Sequence, residues 1–264
     1  MASIKGKTIW ITGASSGIGK SLALELGKYP CNLILSSRKE ADLIKVKEAC
    51  GGSDTISILP LDLKDHHQMD QISKKAISFY GKVDILVNNA GISQRSLIKD
   101  TDLDVYKQLI DIDYLGTVAL SKAILPHFLA NGIGHYVTVT SLMGKFGSPY
   151  RSGYCGAKHA LHGFFDVMRM EHEKDGIQVT LVCPGFVQTN VAKNALTADG
   201  SPQKTDDKAT QNGITPELAA KKMVSAIQKR KFEVNIGGKE ISGAYLKRFF
   251  PKLLHKVVLK SQVR

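Results

Sequence analysis

Thr12-Gly13-Ala14-Ser15-Ser16-Gly17-Ile18-Gly19 follows directly on the apolar run Ile9-Trp10-Ile11 and leads into a helix-forming stretch. A glycine-rich turn between a buried strand and a helix is where a dinucleotide's pyrophosphate can lie. The first N–H groups of such a helix lack partners and carry positive partial charge. In this reading Gly13 allows the tight turn, Gly17 lets the backbone approach the pyrophosphate, and Gly19 lets the helix lie close on the sheet. The spacing is GxxxGxG rather than GxGxxG, which fits one branch of the dinucleotide-binding folds. A lone turn of this kind can also be purely structural, so the rest of the chain has to decide.

Outward from the turn, short β-rich apolar runs alternate with helix-period segments. Residues 7–12, 32–37, 55–60, 83–88, 135–140 and 178–183 are apolar on both faces, as strands of a parallel sheet covered on both sides should be. Helical stretches are expected over 17–29, 39–50, 66–80, 103–129 and 153–174. A further helix should start at Thr215-Pro216-Glu217, and a seventh strand should lie at 232–236. Strict alternation implies βαβ units with right-handed crossovers, hence an α/β fold of the Rossmann type with a doubly wound parallel sheet in a single domain. The expected catalytic domain spans residues 1–238, and 239–264 is a basic C-terminal extension. Residues 191–213 form one long polar segment, of the kind that makes a lid or is disordered.

The end of the second strand reads Leu35-Ser36-Ser37-Arg38-Lys39, with no carboxylate to bind a ribose 2′-hydroxyl. Arg38 can instead form a charge-assisted bidentate bond with a 2′-phosphate, and Ser15 and Ser37 can add neutral donors. NADP(H) is therefore expected over NAD(H). Asp62, after the third strand, is placed to reach the adenine.

Tyr154 and Lys158 stand at i and i+4 on one helix face, and Ser141 lies just past the end of the fifth strand. A phenol has a pKa of about 10 and transfers protons poorly near neutrality, but an adjacent ammonium stabilises phenolate and lowers that value. A Ser141 hydroxyl at the carboxyl edge of the sheet could hold a substrate oxygen beside the phenol. A surface Tyr/Lys pair would give the same spacing. The order of the glycine turn, Asn88-Asn89-Ala90-Gly91, Ser141, the Tyr154/Lys158 pair and Pro184-Gly185 is much harder to obtain by chance.

On these motifs the chain resembles the short-chain dehydrogenase/reductase family from about Lys7 to Ile236. Residues 84–97 and 153–161 look similar to its dehydrogenase/reductase member 7-like branch, which acts on retinoid- or steroid-like carbonyls. The resemblance implies that Ser141, Tyr154 and Lys158 are catalytic and that Lys158 also binds the nicotinamide ribose. It further implies cofactor contacts from Ser15, Ser16, Gly17 and Ile18 in the turn. Asn88, Asn89 and Gly91 match an element that steadies the central strand and borders the cofactor. Pro184, Gly185, Val187 and Thr189 match a stretch lying along the nicotinamide. A lipophilic carbonyl or alcohol substrate and a homodimer or homotetramer through the 103–129 and 153–174 helices are also implied. The family usually places Asn in the proton relay of its long fourth helix; Ile110-Asp111-Ile112-Asp113-Tyr114-Leu115-Gly116 puts Asp113 there. A charged Asp113 would pull on Lys158, whereas a protonated one could still donate a hydrogen bond, and a relay built on its backbone carbonyl would survive. Two other readings stay open: an NADP(H)-binding sensor without turnover, and a membrane-surface scaffold.

The 264 residues are 43% hydrophobic and 7% aromatic, ordinary values for a globular enzyme. Because a strand begins within the first ten residues, no secretory or transit peptide is expected. No run approaches the ~18 apolar residues of a membrane span. Cys31, Cys50, Cys155 and Cys183 show neither a CxxC pair nor a metal-like grouping, so no metal and a reducing, cytoplasmic setting are expected. Cys155, beside Tyr154, reads as a small packing residue.

Half of the net charge of +12 lies in residues 244–264, where Lys247, Arg248, Lys252, Lys256, Lys260 and Arg264 occur with no acidic residue. Pro251 divides this tail into two short helices. A basic amphipathic segment can touch an anionic membrane, fold over the substrate cleft, or pack on a partner subunit. Nucleic acid is not expected, since the basic cluster lacks a recognition fold.

Overall fold

The computed structural model describes residues 4–261. Seven parallel strands form one sheet in the order β3-β2-β1-β4-β5-β6-β7: β1 (Thr8–Thr12), β2 (Asn32–Ser36), β3 (Ile56–Ile58), β4 (Ile85–Asn88), β5 (Gly134–Val139), β6 (Ile177–Pro184) and β7 (Glu233–Ile236). The strand order reverses between β1 and β4, the switch point outside which open α/β sheets bind ligands. This is the Rossmann-type doubly wound sheet in a single domain that the alternation predicts.

Helices α1 (Gly17–Leu26), α2 (Glu40–Ala49) and α3 (Met69–Tyr80) connect the first four strands. Next come α4 (Leu103–Leu109), α5 (Thr117–Ala130) and α6 (Ser152–Glu171). The chain continues through the single turn α7 (Lys208–Gln211), then α8 (Pro216–Gln228), α9 (Ser242–Phe249) and α10 (Pro251–Lys260). Strand period 2 divides the core between the two faces. Ile9, Ile11, Leu33, Leu35, Ile85 and Val87 pack with Leu22, Met223 and Val224 on one side. Trp10, Ile34, Leu86 and Tyr136 pack with Leu120, Ile124 and Phe165 on the other. Trp10, fully buried, donates its indole N–H to the Ser36 hydroxyl at 2.8 Å, so no polar atom is stranded there.

Two expectations change in detail. The helix expected over 103–129 is interrupted: residues Ile110–Gly116 form a π-helical segment between α4 and α5. Gly116 explains the local fit, because a Cβ there would lie 2.4 Å from the Leu63 carbonyl oxygen. Such wide turns are frequent at functional sites, and this one carries Asp113. Residues 191–213 fold back on the body through an isolated bridge between Gln94 and Leu196, and a bridge between Val187 and Ile214 closes the segment at its base. The tail forms two helices meeting at Phe250-Pro251, as the proline requires. Arg264, counted in the tail's charge, lies outside the described residues.

Candidate active site

The glycine turn closes because two of its residues lack a Cβ. Gly13 has φ +65° and sits against Ala90 Cα, which an added Cβ would approach to 2.8 Å. At Gly19 an added Cβ would come within 2.2 Å of the Gly13 carbonyl oxygen. The Asn89 amide ties the turn to β4 by donating to the carbonyls of Thr12 (3.0 Å) and Gly13 (3.3 Å). Asn88 donates to Ser121 Oγ at 3.0 Å and lies 3.5 Å from Thr138 Oγ1, joining β4 to α5 and β5. Ser16 caps α1 without a side-chain bond, Ser15 and Ile18 are half-buried, and Thr189 Cγ2 lies 3.1 Å from where a Gly17 Cβ would be. Thr189 thus brings the segment after β6 over the start of α1, with Val187 buried beneath.

At the far end of the turn, exposed Arg38 shares a depression of about 260 Å³ with Pro60, Leu61, Asp62 and Ile72. Asp62 accepts the Lys64 N–H at 3.0 Å, and the Ser37 hydroxyl donates to the Lys39 carbonyl at 3.4 Å. Arg38 and Asp62 lie at this recess, in a separate group from the proton-transfer residues.

Ser141, Tyr154, Lys158, Asp113, Gly91 and Pro184 gather at the carboxyl ends of β4, β5 and β6. Ser141 is buried; its hydroxyl accepts the Met143 N–H at 3.1 Å and donates to the Pro184 carbonyl at 3.4 Å. The turn it starts, Leu142–Gly144, presses on α6: a Cβ on Gly144 would lie 2.9 Å from the Lys158 carbonyl oxygen. Lys158 Nζ stands 5.6 Å from the Tyr154 ring centroid, donates to the Val139 carbonyl at 3.4 Å, and lies 3.5 Å from Asp113 Oδ2. Burial works against the Lys158 charge, but the Asp113 carboxylate and Tyr154 outweigh it and hold the ammonium above its ordinary value. Asp113 is fully buried; Oδ1 accepts the Ile92 N–H at 2.8 Å, whereas Oδ2 has no hydrogen-bond partner. Gly91 permits this crowding, since its Cβ would meet Asp113 Oδ1 at 3.1 Å and Lys158 Nζ at 3.2 Å.

Three features were not read from the sequence. Gln94, fully buried, accepts the N–H of Gly153 at 2.7 Å and of Tyr154 at 3.4 Å, which satisfies the start of α6 and sets the helix bearing the phenol. Asp207 is buried between two guanidinium groups: Arg95 donates Nε and Nη2 to its Oδ2 at 2.9 and 2.6 Å, and Arg151 Nη2 at 3.2 Å. Glu240 accepts the Phe186 N–H at 3.0 Å, fastening the segment after Pro184 to the base of the tail. Cys155 is buried and burial pushes its thiol up, consistent with a packing role. Among the described residues no group of His, Cys, Asp or Glu could hold a metal ion.

The residues present fit a nicotinamide dinucleotide. The start of α1 offers N–H groups without helical acceptors where Gly17 carries no side chain, and Gly91, having no Cβ, lets the backbone after β4 lie against Lys158. The family model for short chain dehydrogenases matches residues 7–200. Over 197 residues the chain is 45% identical to human (Homo sapiens) dehydrogenase/reductase SDR family member 7, covering 72% of this chain and 58% of that protein. It therefore spans less than two thirds of that relative's length. A Drosophila melanogaster dehydrogenase/reductase SDR family protein 7-like is 34% identical over 99% of this chain and 82% of its own. Among solved structures, a short chain dehydrogenase/reductase from Burkholderia phymatum in complex with NAD superposes with a TM-score of 0.85 at 21% identity, covering 96% of each chain. The chain belongs to the short-chain dehydrogenase/reductase family of nicotinamide-dependent oxidoreductases, in its member 7-like branch.

Proposed function

We propose that the protein is an NADP(H)-dependent reductase of lipophilic carbonyl compounds. The observation that carries this reading is the buried Lys158 ammonium beside the Tyr154 ring, at the same sheet edge as the glycine turn. The bound cofactor supplies the hydride. Tyr154 donates its phenolic proton to the carbonyl oxygen as that oxygen gains negative charge, and Lys158 stabilises the phenolate left behind. Ser141 holds the same oxygen by its hydroxyl. The wall beside Tyr154 is apolar, built from Val105, Leu109 and Leu196 with Ile92, which favours a lipophilic substrate.

The phosphorylated cofactor is favoured by Arg38, exposed at the rim of the recess it shares with Asp62, with no carboxylate at the end of β2. In assays of purified protein with a carbonyl panel, NADPH oxidation is expected to exceed NADH oxidation. Arg38→Ala is expected to raise the KM for NADPH by about 10–100-fold and leave that for NADH unchanged. Equal use of both cofactors by the wild type would remove the preference. Leu103, Leu129, Val167 and Met170, exposed on α4, α5 and α6, suit a homodimer or homotetramer.

One observation favours a sensor with little turnover. Burial pushes the Asp113 pKa up against the pull of Lys158, 3.5 Å away; to the extent that Asp113 is ionised, it offsets part of the charge that should act on Tyr154. Asp113→Asn keeps an oxygen for the Ile92 N–H and removes the charge. The variant is expected to turn over faster near neutral pH. The acid limb of its kcat/KM profile for alcohol oxidation should move down by about one pH unit. An unchanged profile would show that the carboxylate does not act on the phenol.

A further inference from the structure

We propose that α9 and α10 form a docking face for an anionic lipid bilayer. A narrow apolar seam holds both helices on the body. Leu254 is buried there with Leu142 and Phe146, joined by Leu246 and Val258, and a Cβ on Gly243 would touch the Phe146 ring at 2.8 Å. The seam uses one edge of the amphipathic pair and leaves the other bare. Tyr245, Phe249 and Phe250 are 64%, 69% and 61% exposed, and Leu253 and Val257 continue the apolar strip along α10. Isolated exposed apolar residues are ordinary, but three aromatic and two aliphatic side chains together over 13 consecutive residues mark an interaction surface.

Charge selects the occupant. Lys252, Lys256 and Lys260 recur every four residues and so line one face of α10, beside the one that carries Leu253 and Val257. Lys247 and Arg248 extend the basic edge along α9, and no acidic residue follows Glu240 in the sequence. Two copies meeting through this face would bring together two sets of five cations, with no carboxylate from either segment to pair them. An anionic bilayer meets both needs, since its headgroups take the lysines while the acyl boundary covers the rings. Aromatic residues are also the side chains that settle at that depth. The geometry demands no spanning segment, and among the described residues no helix is long and apolar enough to cross a membrane. The seam rests on the turn that begins at Ser141, so a docked molecule would hold its substrate mouth at the lipid surface. That consequence rests on the carbonyl-reductase reading; lipid binding does not.

The test is flotation of the full chain, without substrate, on phosphatidylcholine vesicles with and without phosphatidylserine. Binding is expected only with phosphatidylserine, weakening as salt rises. Replacing Lys252, Lys256 and Lys260 together by Ala is expected to lower partitioning by about a hundredfold, at about fivefold per lysine. Phe249→Ser with Leu253→Ser is expected to lower it at least about tenfold. All five side chains are exposed, and unchanged melting confirms that the variants fold. Failure of the wild type to float with phosphatidylserine vesicles, or equal flotation on both kinds, overturns the proposal. So does an oligomer that dissociates with Phe249→Ser and Leu253→Ser while vesicles stay unbound, for the occupant is then a second copy.

Discussion

Tyr154→Phe is expected to reduce carbonyl turnover by about 10³-fold while leaving cofactor affinity unchanged. The substitution removes one oxygen and its proton from a half-buried ring whose apolar contacts with Val105, Leu109 and Leu196 remain. Gln94 still accepts the backbone N–H groups of Gly153 and residue 154, so the start of α6 keeps its place. Lys158 also keeps its bond to the Val139 carbonyl. What disappears is the group that hands a proton to the substrate oxygen, the kind of contribution worth about 10²–10⁴ in rate. The expected signature is a collapse in kcat with NADPH binding, followed by fluorescence titration, unaltered. Lys158→Met provides the contrast: it should weaken both turnover and cofactor binding, because the same ammonium stands beside the phenol and, in the proposed function, holds the nicotinamide ribose. Retention of more than about a tenth of the wild-type rate by Tyr154→Phe would place the proton donor elsewhere.

The proton-transfer site was legible because its chemistry fixes local spacing. A phenol and an ammonium that must share a helix face stand at i and i+4, and a turn that must admit phosphate shows its glycines beside a strand. Asp113 was legible as a departure at a known place, but its geometry was not. The π-helical segment that aims it hides among Ile110, Ile112 and Leu115, apolar positions that satisfy an ordinary helix equally well. The tail's basic period was plain, yet its apolar residues fill two edges, and sequence does not say which one meets the body. Arg95, Arg151 and Asp207 were opaque for a different reason. Arg95 and Asp207 are 112 residues apart, and a charged residue within a polar stretch such as 191–213 reads as solvated unless its distant partner is known.

That opaque cluster gives the largest expected effect on stability. Asp207→Asn keeps the shape of the side chain but leaves two buried guanidinium groups, Arg95 and Arg151, without their shared anion. Both arginines and Asp207 are no more than 5% exposed, so water cannot take the carboxylate's place without opening the structure. Breaking a buried pair from one side costs about 3–5 kcal/mol, which in a domain of this size corresponds to roughly 6–15 °C in Tm. Loss of the clamp should be felt first in residues 191–213, where Asp207 resides, and through Leu196 at the wall beside Tyr154. The KM for a lipophilic carbonyl is therefore expected to rise more than kcat falls. Burial alone would raise the Asp207 pKa, but Arg95 and Arg151 prevail and hold it below the ordinary carboxylate value. Its contribution is thus complete above about pH 4 and is lost as pH falls through the lowered native pKa, so wild type and variant should converge in strong acid. Adding Arg95→Met to Asp207→Asn removes one of the two guanidinium groups that shared the carboxylate and should recover part of the lost Tm, the non-additivity expected of residues in one network. A fall of less than about 2 °C for Asp207→Asn, or no recovery in the double variant, would mean that the cluster is hydrated and does not clamp the segment.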